Sequence, residues 1–185
     1  TGGPLLCFGA SADLRSASGE RALPLEQLWT GPGETAADPR ELLVRVDVPA
    51  PAPATGSAYV RLEYRRQMEI AVVGVTAVVR LDAGSVSDAR VAITALAPTI
   101  RRVSEAEAAL IGSDGGDEAI AEAARAAASG SSPITDVRSS AEYRSAMANV
   151  IARRAIVVAL ARARGEHVPI PASAATYASV GGTST

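Results

Sequence analysis

Residues 59–81, YVRLEYRRQMEIAVVGVTAVVRL, decide the fold, because alternating polar and apolar residues give way there to an unbroken apolar run. The alternation predicts a half-buried strand over residues 58–66. The polar face of that strand carries Tyr59, Arg61 and Glu63. The apolar run at 69–81 predicts a central strand that is covered on both faces. The two segments are therefore predicted to be neighbouring strands of one sheet.

The arginine pair Arg65-Arg66 lies where these two predicted strands meet. Considered alone, the pair is a candidate anion-binding patch. Its position at the end of a strand favours a turn instead, and Glu69 follows closely enough to reach either guanidinium. We expect an ion pair between Glu69 and Arg65 or Arg66, with a structural role.

A third strand is predicted at 87–96, SDARVAITAL, after a hairpin turn at 82–85 in which Gly84 can adopt a positive φ. Three helices should follow it. Their predicted starts are the capping boxes Ser104/Glu107 and Ser139/Glu142 and the N-cap Asp117, and their predicted stops are Gly112, Gly130 and Gly165. The last helix should bury a stripe of Tyr143, Met147, Val150, Ile151 and Val158.

The first 50 residues predict a smaller unit with a hairpin over 5–25, turning at Gly19-Glu20, and a helical turn over 25–29. A strand at 41–49, ELLVRVDVP, should bury every second side chain from Leu42 onward and turn Leu43 to the other face. The proline-rich segment that follows predicts a linker. The predicted division is residues 1–50, a linker at 51–57, a second domain at 58–165 and a mobile tail at 166–185.

This arrangement predicts the α+β class, with a three-stranded antiparallel sheet covered by helices. Composition excludes several functions. With 3 % aromatic residues and a net charge of −2, the chain is not expected to bind nucleic acid. It has no lysine, so Schiff-base and P-loop chemistry are excluded. The single cysteine, Cys7, predicts a buried hydrophobe, and the single histidine, His167, a solvated residue, so no catalytic or metal site is predicted. No membrane span is visible, and a cytoplasmic location is expected.

Four spaced motifs carry a resemblance to a known family. They are ELL at 41–43 in a strand that ends at proline, RRQMEIA at 65–71, a proline-arginine turn into a helix within 98–107, and DVRSSAEYR at 136–144. In this order they resemble the FAD-binding (medium) subunit of molybdenum hydroxylases, the carbon monoxide dehydrogenase, xanthine dehydrogenase and aldehyde oxidase group. The resemblance covers roughly residues 4–165.

The resemblance implies a subunit that binds FAD and passes electrons from iron–sulfur clusters to an acceptor. The molybdenum cofactor and the [2Fe-2S] clusters would lie in partner subunits, a molybdenum-binding subunit and an iron–sulfur subunit. Such assemblies are heterotrimers, usually doubled. The family's glycine-rich FAD loops belong to an N-terminal half that this sequence does not show, so residues 1–50 resemble the end of an FAD-binding α+β subdomain.

Two residues are candidate cofactor-binding positions through the resemblance. Leu43 matches a residue that packs on the flavin, although core packing is an alternative role. Arg61 matches a position near the flavin ring, where a cation would stabilise the reduced anion, and a solvated strand arginine is the alternative. Tyr143 is expected to anchor the last helix and Arg144 to cap a neighbouring loop. An alternative function is a non-catalytic interaction or assembly domain of the same fold that does not bind flavin.

Overall fold

The computed structural model of this chain describes residues 1–65 and 68–172. Its helices are α1 (Gly2–Cys7), α2 (Ser104–Leu110), α3 (Asp117–Ser129) and α4 (Ala141–Ala163). Its strands are β1 (Ser11–Ser16), β2 (Gly19–Pro24), β3 (Trp29–Gly31), β4 (Glu34–Thr35), β5 (Leu42–Asp47), β6 (Thr55–Leu62), β7 (Val73–Asp82), β8 (Ser85–Thr94) and β9 (Arg101–Arg102).

The main sheet is antiparallel in the order β6-β7-β8-β9, and its apolar face packs against α2, α3 and α4 in one continuous core. The predicted α+β class is therefore confirmed. The three predicted strands are all present, and the two-residue β9 adds a fourth at the edge. The predicted turn is also present, with Gly84 at φ +87°.

Two strand boundaries differ from the prediction. Strand β7 begins at Val73, not Glu69, and the Val72 carbonyl accepts a hydrogen bond from the Arg144 guanidinium at 3.1 Å. The apolar run alone predicts that the strand includes Val72. The carbonyl of Val72 instead binds the side chain of Arg144 from α4. Strand β6 begins at Thr55, inside the predicted linker at 51–57, because its ladder with β7 extends to the pair Thr55 and Arg80. The division into domains stays a prediction.

The N-terminal sheet has the order β2-β1-β5 and rests on a small core of its own. The predicted hairpin is present, but it starts at Ser11 and turns at residues 17–18, before Gly19. The prediction missed α1, since GGPLLC is a poor helix former by composition. Packing stabilises it instead, because Leu5 contacts the N-terminal core while Leu6 and Cys7 contact the main sheet.

A β-bulge in β5 overturns the predicted alternation over 41–49. Asp13 pairs with Arg45, but the next residue of β1, Leu14, pairs with Leu43, so Val44 is the extra residue. Because directly paired residues share a face, Leu43 lies on the same side as buried Leu14. The strand is also not half-buried as predicted, since five of its six residues are exposed.

The helix caps differ from the predicted ones. Val103 precedes α2 without a side-chain cap, and Glu107 is used elsewhere, so the Ser104/Glu107 capping box is wrong. Gly116, not Asp117, is the N-cap of α3. Ser140, not Ser139, caps α4 by accepting a hydrogen bond from the Tyr143 amide. Gly112 and Gly165 have positive φ just after their helices, as the predicted stops require.

The buried stripe of α4 was predicted only in part. Ile151 and Val158 are buried, and Met147 packs partly against the core, but Tyr143 is 45 % exposed. Half of the ten buried residues of α4 are alanines, which allow the helix to approach the sheet closely. The buried alanines of α4 are Ala148, Ala152, Ala155, Ala159 and Ala163.

The remaining predictions concern single residues and the tail. Cys7 is buried and His167 is exposed, as predicted. Of the tail, residues 173–185 lie outside the described residues, as does Arg66. Within the described part of the chain no helix is long and apolar enough to cross a membrane. In the same part, no group of His, Cys, Asp and Glu residues is arranged to hold a metal ion.

Candidate functional site

Arg61 lies on β6, on the face of the main sheet that is turned away from α2, α3 and α4. Its guanidinium forms an ion pair with Glu63, two residues along the same strand face, and its side chain is 32 % exposed. The cation is therefore held in place by a neighbour and still reaches the surface. A cation in this setting can act on a charged group that approaches the sheet from outside.

Tyr59 and Gly74 form the neighbouring part of this face. A Cβ at Gly74 would lie 2.8 Å from the Tyr59 hydroxyl, so the glycine allows the ring to lie flat across β7. Burial raises the pKa of Tyr59, the nearby Arg61 lowers it and Glu63 raises it, with a net upward shift. The tyrosine therefore remains a neutral donor beside the arginine.

Farther along the same face, α1 covers two buried threonine hydroxyls. Among the described residues, Thr76 Oγ1 and Thr94 Oγ1 have no hydrogen-bond partner. A Cβ at Gly3 would lie 2.6 Å from Thr76 Oγ1, which shows how closely α1 approaches the strand. The space above these hydroxyls is thus filled by protein, and they do not line an open site.

Leu43 lies in the other sheet, at the edge strand β5, and its side chain is 53 % exposed. The structure therefore does not support core packing as its role. It also does not place Leu43 and Arg61 in one sheet, since β5 pairs with β1 and β6 pairs with β7. The two candidate positions are separate surface elements in this chain.

Glu41, the glutamate of the ELL motif, holds the segment that leads into β5. Both oxygens of Glu41 bind the Arg21 guanidinium, at 2.7 and 2.8 Å, and Glu41 also accepts from the Asp38 amide at 2.8 Å. Hydrogen bonds from Arg21 lower the pKa of Glu41 to about 2. The Glu41 carboxylate therefore joins the segment before β5 to strand β2. This contact fixes the position at which β5 begins, at Leu42.

The DVRSSAEYR motif is built around the buried side chain of Arg144, which is 1 % exposed. Its guanidinium donates to the carbonyls of Val72 at 3.1 Å, Ile134 at 2.6 Å and Ala95. The prediction that Arg144 caps a neighbouring loop is confirmed, and its guanidinium binds carbonyls from three separate segments. Tyr143, by contrast, is too exposed to anchor the helix as predicted.

The same motif contains Asp136, whose carboxylate is the counter-charge of Arg144. Asp136 lies 3.6 Å from Arg144 and forms an ion pair with Arg138. Hydrogen bonds from the Arg138 side chain and amide lower the pKa of Asp136 to about 2. Burial lowers the pKa of Arg144, but the arginine remains a cation. This network is structural, since it holds the loops at one end of the main sheet.

The ion pair predicted for Glu69 is present. Arg65 Nε lies 3.4 Å from Glu69 Oε2, and Arg65 also donates to the Met68 carbonyl at 2.8 Å. The contact links Arg65, which follows β6, to Glu69, which precedes β7. Arg65 therefore has the structural role that the sequence predicts for it.

Sequence reasoning missed the partly buried ion pair between Arg102 and Glu107. Glu107 accepts from the Val91 amide at 3.0 Å and from Arg102 Nε at 2.8 Å. This contact raises the pKa of Arg102 and joins α2 to strand β8. The sequence does contain the pair, since Arg102 lies five residues before Glu107. The capping-box interpretation assigned Glu107 to Ser104 instead.

A dinucleotide such as FAD needs a phosphate cradle as well as contacts to its ring. The described residues provide an exposed apolar side chain, Leu43, and a placed cation, Arg61, both suited to a ring system. In the glycine-containing loop at 112–116, the Gly115 and Gly116 amides already donate to the side chains of Ser113 and Asp114. The two described side chains are therefore chemically suited to contact the ring of FAD.

Comparison with protein families gives two matches that together span most of the chain. Residues 58–159 match the CO dehydrogenase flavoprotein C-terminal domain. Residues 2–51 match the FAD binding domain in molybdopterin dehydrogenase. The two matched regions lie on either side of the proline-rich segment.

Curated relatives include the carbon monoxide dehydrogenase medium chain of Hydrogenophaga pseudoflava. It is 35 % identical over 149 residues, which is 80 % of this chain and 52 % of the relative. The 6-hydroxypseudooxynicotine dehydrogenase complex subunit alpha of Paenarthrobacter nicotinovorans is 35 % identical over 161 residues, or 86 % of this chain and 54 % of the relative. The chain thus spans about half the length of these relatives.

A solved structure gives the same result at the level of the fold. Reconstituted CO dehydrogenase from Oligotropha carboxidovorans aligns with a TM-score of 0.83 at 30 % identity, covering 87 % of this chain and 56 % of that one. At 30 % identity the two chains share sequence as well as fold.

Proposed function

Because the chain belongs to the FAD-binding (medium) subunit family of molybdenum hydroxylases, we propose that it forms part of a subunit that passes electrons from iron–sulfur clusters through FAD to an acceptor. The observation that carries the proposal is the family match over both halves of the chain. Because the chain spans about half of its relatives, the activity belongs to a larger flavoprotein. When bound, FAD supplies the electron-carrying chemistry.

We assign Leu43 and Arg61 to the flavin wall of that site. Leu43 presents an apolar surface at a sheet edge, and Arg61 presents a cation whose position Glu63 fixes. A fixed cation next to the flavin would favour the reduced anion over the neutral oxidised ring. Tyr59 lies on the same strand face as Arg61 and would limit the movement of the arginine.

Partner subunits follow from the same assignment. The chain holds no metal-binding cluster among its described residues, so the iron–sulfur clusters and molybdenum cofactor would lie in an iron–sulfur subunit and a molybdenum-binding subunit. A heterotrimer, doubled or not, in the cytoplasm is the proposed assembly. Two relatives carry names that fit such an assembly, "medium chain" and "complex subunit alpha".

The test starts from the gene product that contains this chain, purified and examined for the visible absorbance of bound flavin. The proposal expects a yellow protein, and a colourless one that does not take up added FAD would refute it. In the coloured protein, Arg61→Gln should make the flavin reduction potential more negative. Arg15→Gln, on an exposed arginine paired with Glu20, is the matched control and should leave the potential unchanged.

The second candidate is an assembly domain of the same fold that does not bind flavin. The absence of a phosphate cradle among the described residues favours it. It predicts a colourless protein that still joins the partner subunits. Flavin absorbance and co-purification therefore separate the two functions.

A further inference from the structure

A cavity of about 390 Å³ lies beside the DVRSSAEYR motif, and the electron-transfer role makes no use of it. Its walls come from the β3–β4 turn at Pro32, the loop that follows β8 and the loop between α3 and α4. A cavity of this size can hold a small organic molecule with an apolar body. Its apolar walls beyond Pro32 are formed by Ala95, Ala97, Pro98, Ile100, Pro133 and Ile134.

Two arginines give this cavity its charge. Arg138 and Arg144 both line it, and Asp136 pairs with the first and lies 3.6 Å from Nη1 of the second. In the described part of the chain, no other carboxylate forms an ion pair with either arginine. Because a single carboxylate faces two cations, the wall of the cavity keeps one net positive charge.

The guanidinium of Arg138 has donors that the protein does not use. Its Nε donates to the two oxygens of Asp136 at 3.2 and 3.0 Å, and its Nη2 binds the same carboxylate. Among the described residues its Nη1 forms no hydrogen bond, although this nitrogen carries two hydrogens. The hydroxyl of Tyr64 donates to the Arg138 carbonyl and holds the backbone in place. A fixed guanidinium with an unused end can bind a second carboxylate.

The backbone at Ala95 is a separate sign of a binding site. Ala95 has φ +61°, a conformation that residues other than glycine rarely adopt. It lines the cavity, and its carbonyl accepts a hydrogen bond from the Arg144 guanidinium. Strained residues of this kind occur preferentially at ligand-binding positions, where the surrounding structure holds them. The strain at Ala95 therefore lies where the charge and the apolar walls meet.

The combination of apolar walls and one net positive charge selects among ligands. A phosphate dianion would lose its water against apolar walls that cannot replace the lost hydrogen bonds. A neutral apolar molecule would cover the arginines without pairing with their charge. A monocarboxylate with an apolar body meets both conditions, because its charge and its surface match the two parts of the cavity.

We propose that this cavity binds a small organic monocarboxylate with an aromatic or branched apolar body. The carboxylate binds Arg138, and the body packs against Ile100 and Ile134. Arg144 contributes its charge from the buried side, while its own hydrogen bonds stay with the protein carbonyls. The site goes beyond the proposed function, since none of these contacts involves a flavin.

The experiment titrates the gene product that contains this chain with benzoate at neutral pH and measures the heat of binding. Benzamide, which has the same ring without the charge, should bind at least about tenfold more weakly. Arg138→Gln should weaken benzoate about tenfold and leave benzamide unchanged. Arg125→Gln is the matched control, because Arg125 also pairs with an acidic neighbour, Glu122, and should leave benzoate binding unchanged.

A second variant tests the apolar wall and does not depend on the folding of Arg138→Gln. Ile134 is 66 % exposed, so Ile134→Ala should fold normally. It should weaken benzoate and benzamide by the same factor, about threefold, because it removes apolar contact and no charge. Hydrogen exchange then locates the probe, and benzoate should slow exchange in the loops at 95–100 and 132–138.

Several results would overturn the inference. They are no heat of binding at about 10 mM benzoate, equal affinity for benzoate and benzamide, and equal losses in Arg138→Gln and Arg125→Gln. Displacement of benzoate by an equal concentration of inorganic phosphate would show an unselective anion patch. Release of bound flavin by benzoate would place the probe in the flavin site. A colourless protein that binds benzoate as expected would leave this inference standing and count against the proposed function.

Discussion

At the scale of single residues, Arg144 makes the contact that holds one end of the main sheet together. Arg144→Ala would leave three carbonyls from three segments without their donor, and we expect a loss of about 3 kcal/mol or more in the free energy of unfolding. Arg144→Lys should recover only part of it, because one ammonium group cannot reach three separated acceptors with the guanidinium geometry. Urea unfolding measures both variants.

A matched control is available on the same helix. Arg153 is exposed and pairs with exposed Asp117 at 2.9 Å. Arg153→Ala should cost less than about 1 kcal/mol, as exposed ion pairs usually do. If Arg144→Ala proved as mild as Arg153→Ala, the three hydrogen bonds to Arg144 would not hold the sheet end.

The carboxylate of Asp136 gives a pH dependence whose sign follows from its lowered pKa. The native state holds the pKa at about 2, below the usual value of about 3.9 in an unfolded chain. The stabilisation is therefore fully present above the unfolded pKa and is lost as pH falls toward the native pKa. Asp136→Asn should destabilise the chain at neutral pH, with a difference from the wild type that shrinks in acid.

Unfolding free energies across the acid range test this expectation. Asp82→Asn, at the exposed β7–β8 turn, serves as the control and should show little difference from the wild type at any pH. A gap between Asp136→Asn and the wild type that stays constant down to strongly acidic pH would contradict the assignment.

At the scale of elements, the contact between β6 and α4 depends on one glycine. A Cβ at Gly56 would overlap the backbone of α4 at Ala159 and Ala163. Gly56→Ala should therefore cost about 3 kcal/mol, because main-chain atoms cannot move aside as a side chain can. Thermal or urea unfolding measures the loss. Ser57→Ala, the neighbouring residue with its side chain on the other face, should cost far less, and equal losses would refute the close approach.

Some elements of the fold were predictable from the sequence and others were not. The long apolar run of β7, the turn at Gly84 and the three C-terminal helices were predictable, because periodicity and glycine act locally. The bulge at Val44 was not, because it arises from pairing with β1. The caps differ for a similar reason: Glu107 could complete a capping box locally, but the half-buried Arg102 and the Val91 amide bind it instead.

The candidate site was less predictable than the fold. Arg61 and Leu43 came from a family resemblance, and neither periodicity nor charge would have singled them out. The structure adds that Glu63 fixes Arg61 and that Leu43 is uncovered at an open edge. The ion pair is local, since the two residues lie two apart in the sequence, but the open edge at Leu43 depends on the pairing of β5 with β1 and is not contained in a local pattern.

At the scale of the whole molecule, α1 lies between the N-terminal core and the main sheet, and its last residue reports whether that contact is intact. Burial is the main cause that raises the pKa of Cys7 to about 12, so at mildly alkaline pH the native thiol should be about a thousandfold less ionised than an unfolded one. Thiol alkylation should therefore be slow in the native chain and accelerate with urea along the same curve as unfolding. A Ser18→Cys, Cys7→Ala variant, with its thiol on an exposed turn, should react quickly at every urea concentration. Rapid alkylation of Cys7 without urea would show that α1 detaches from the sheet while both cores stay folded.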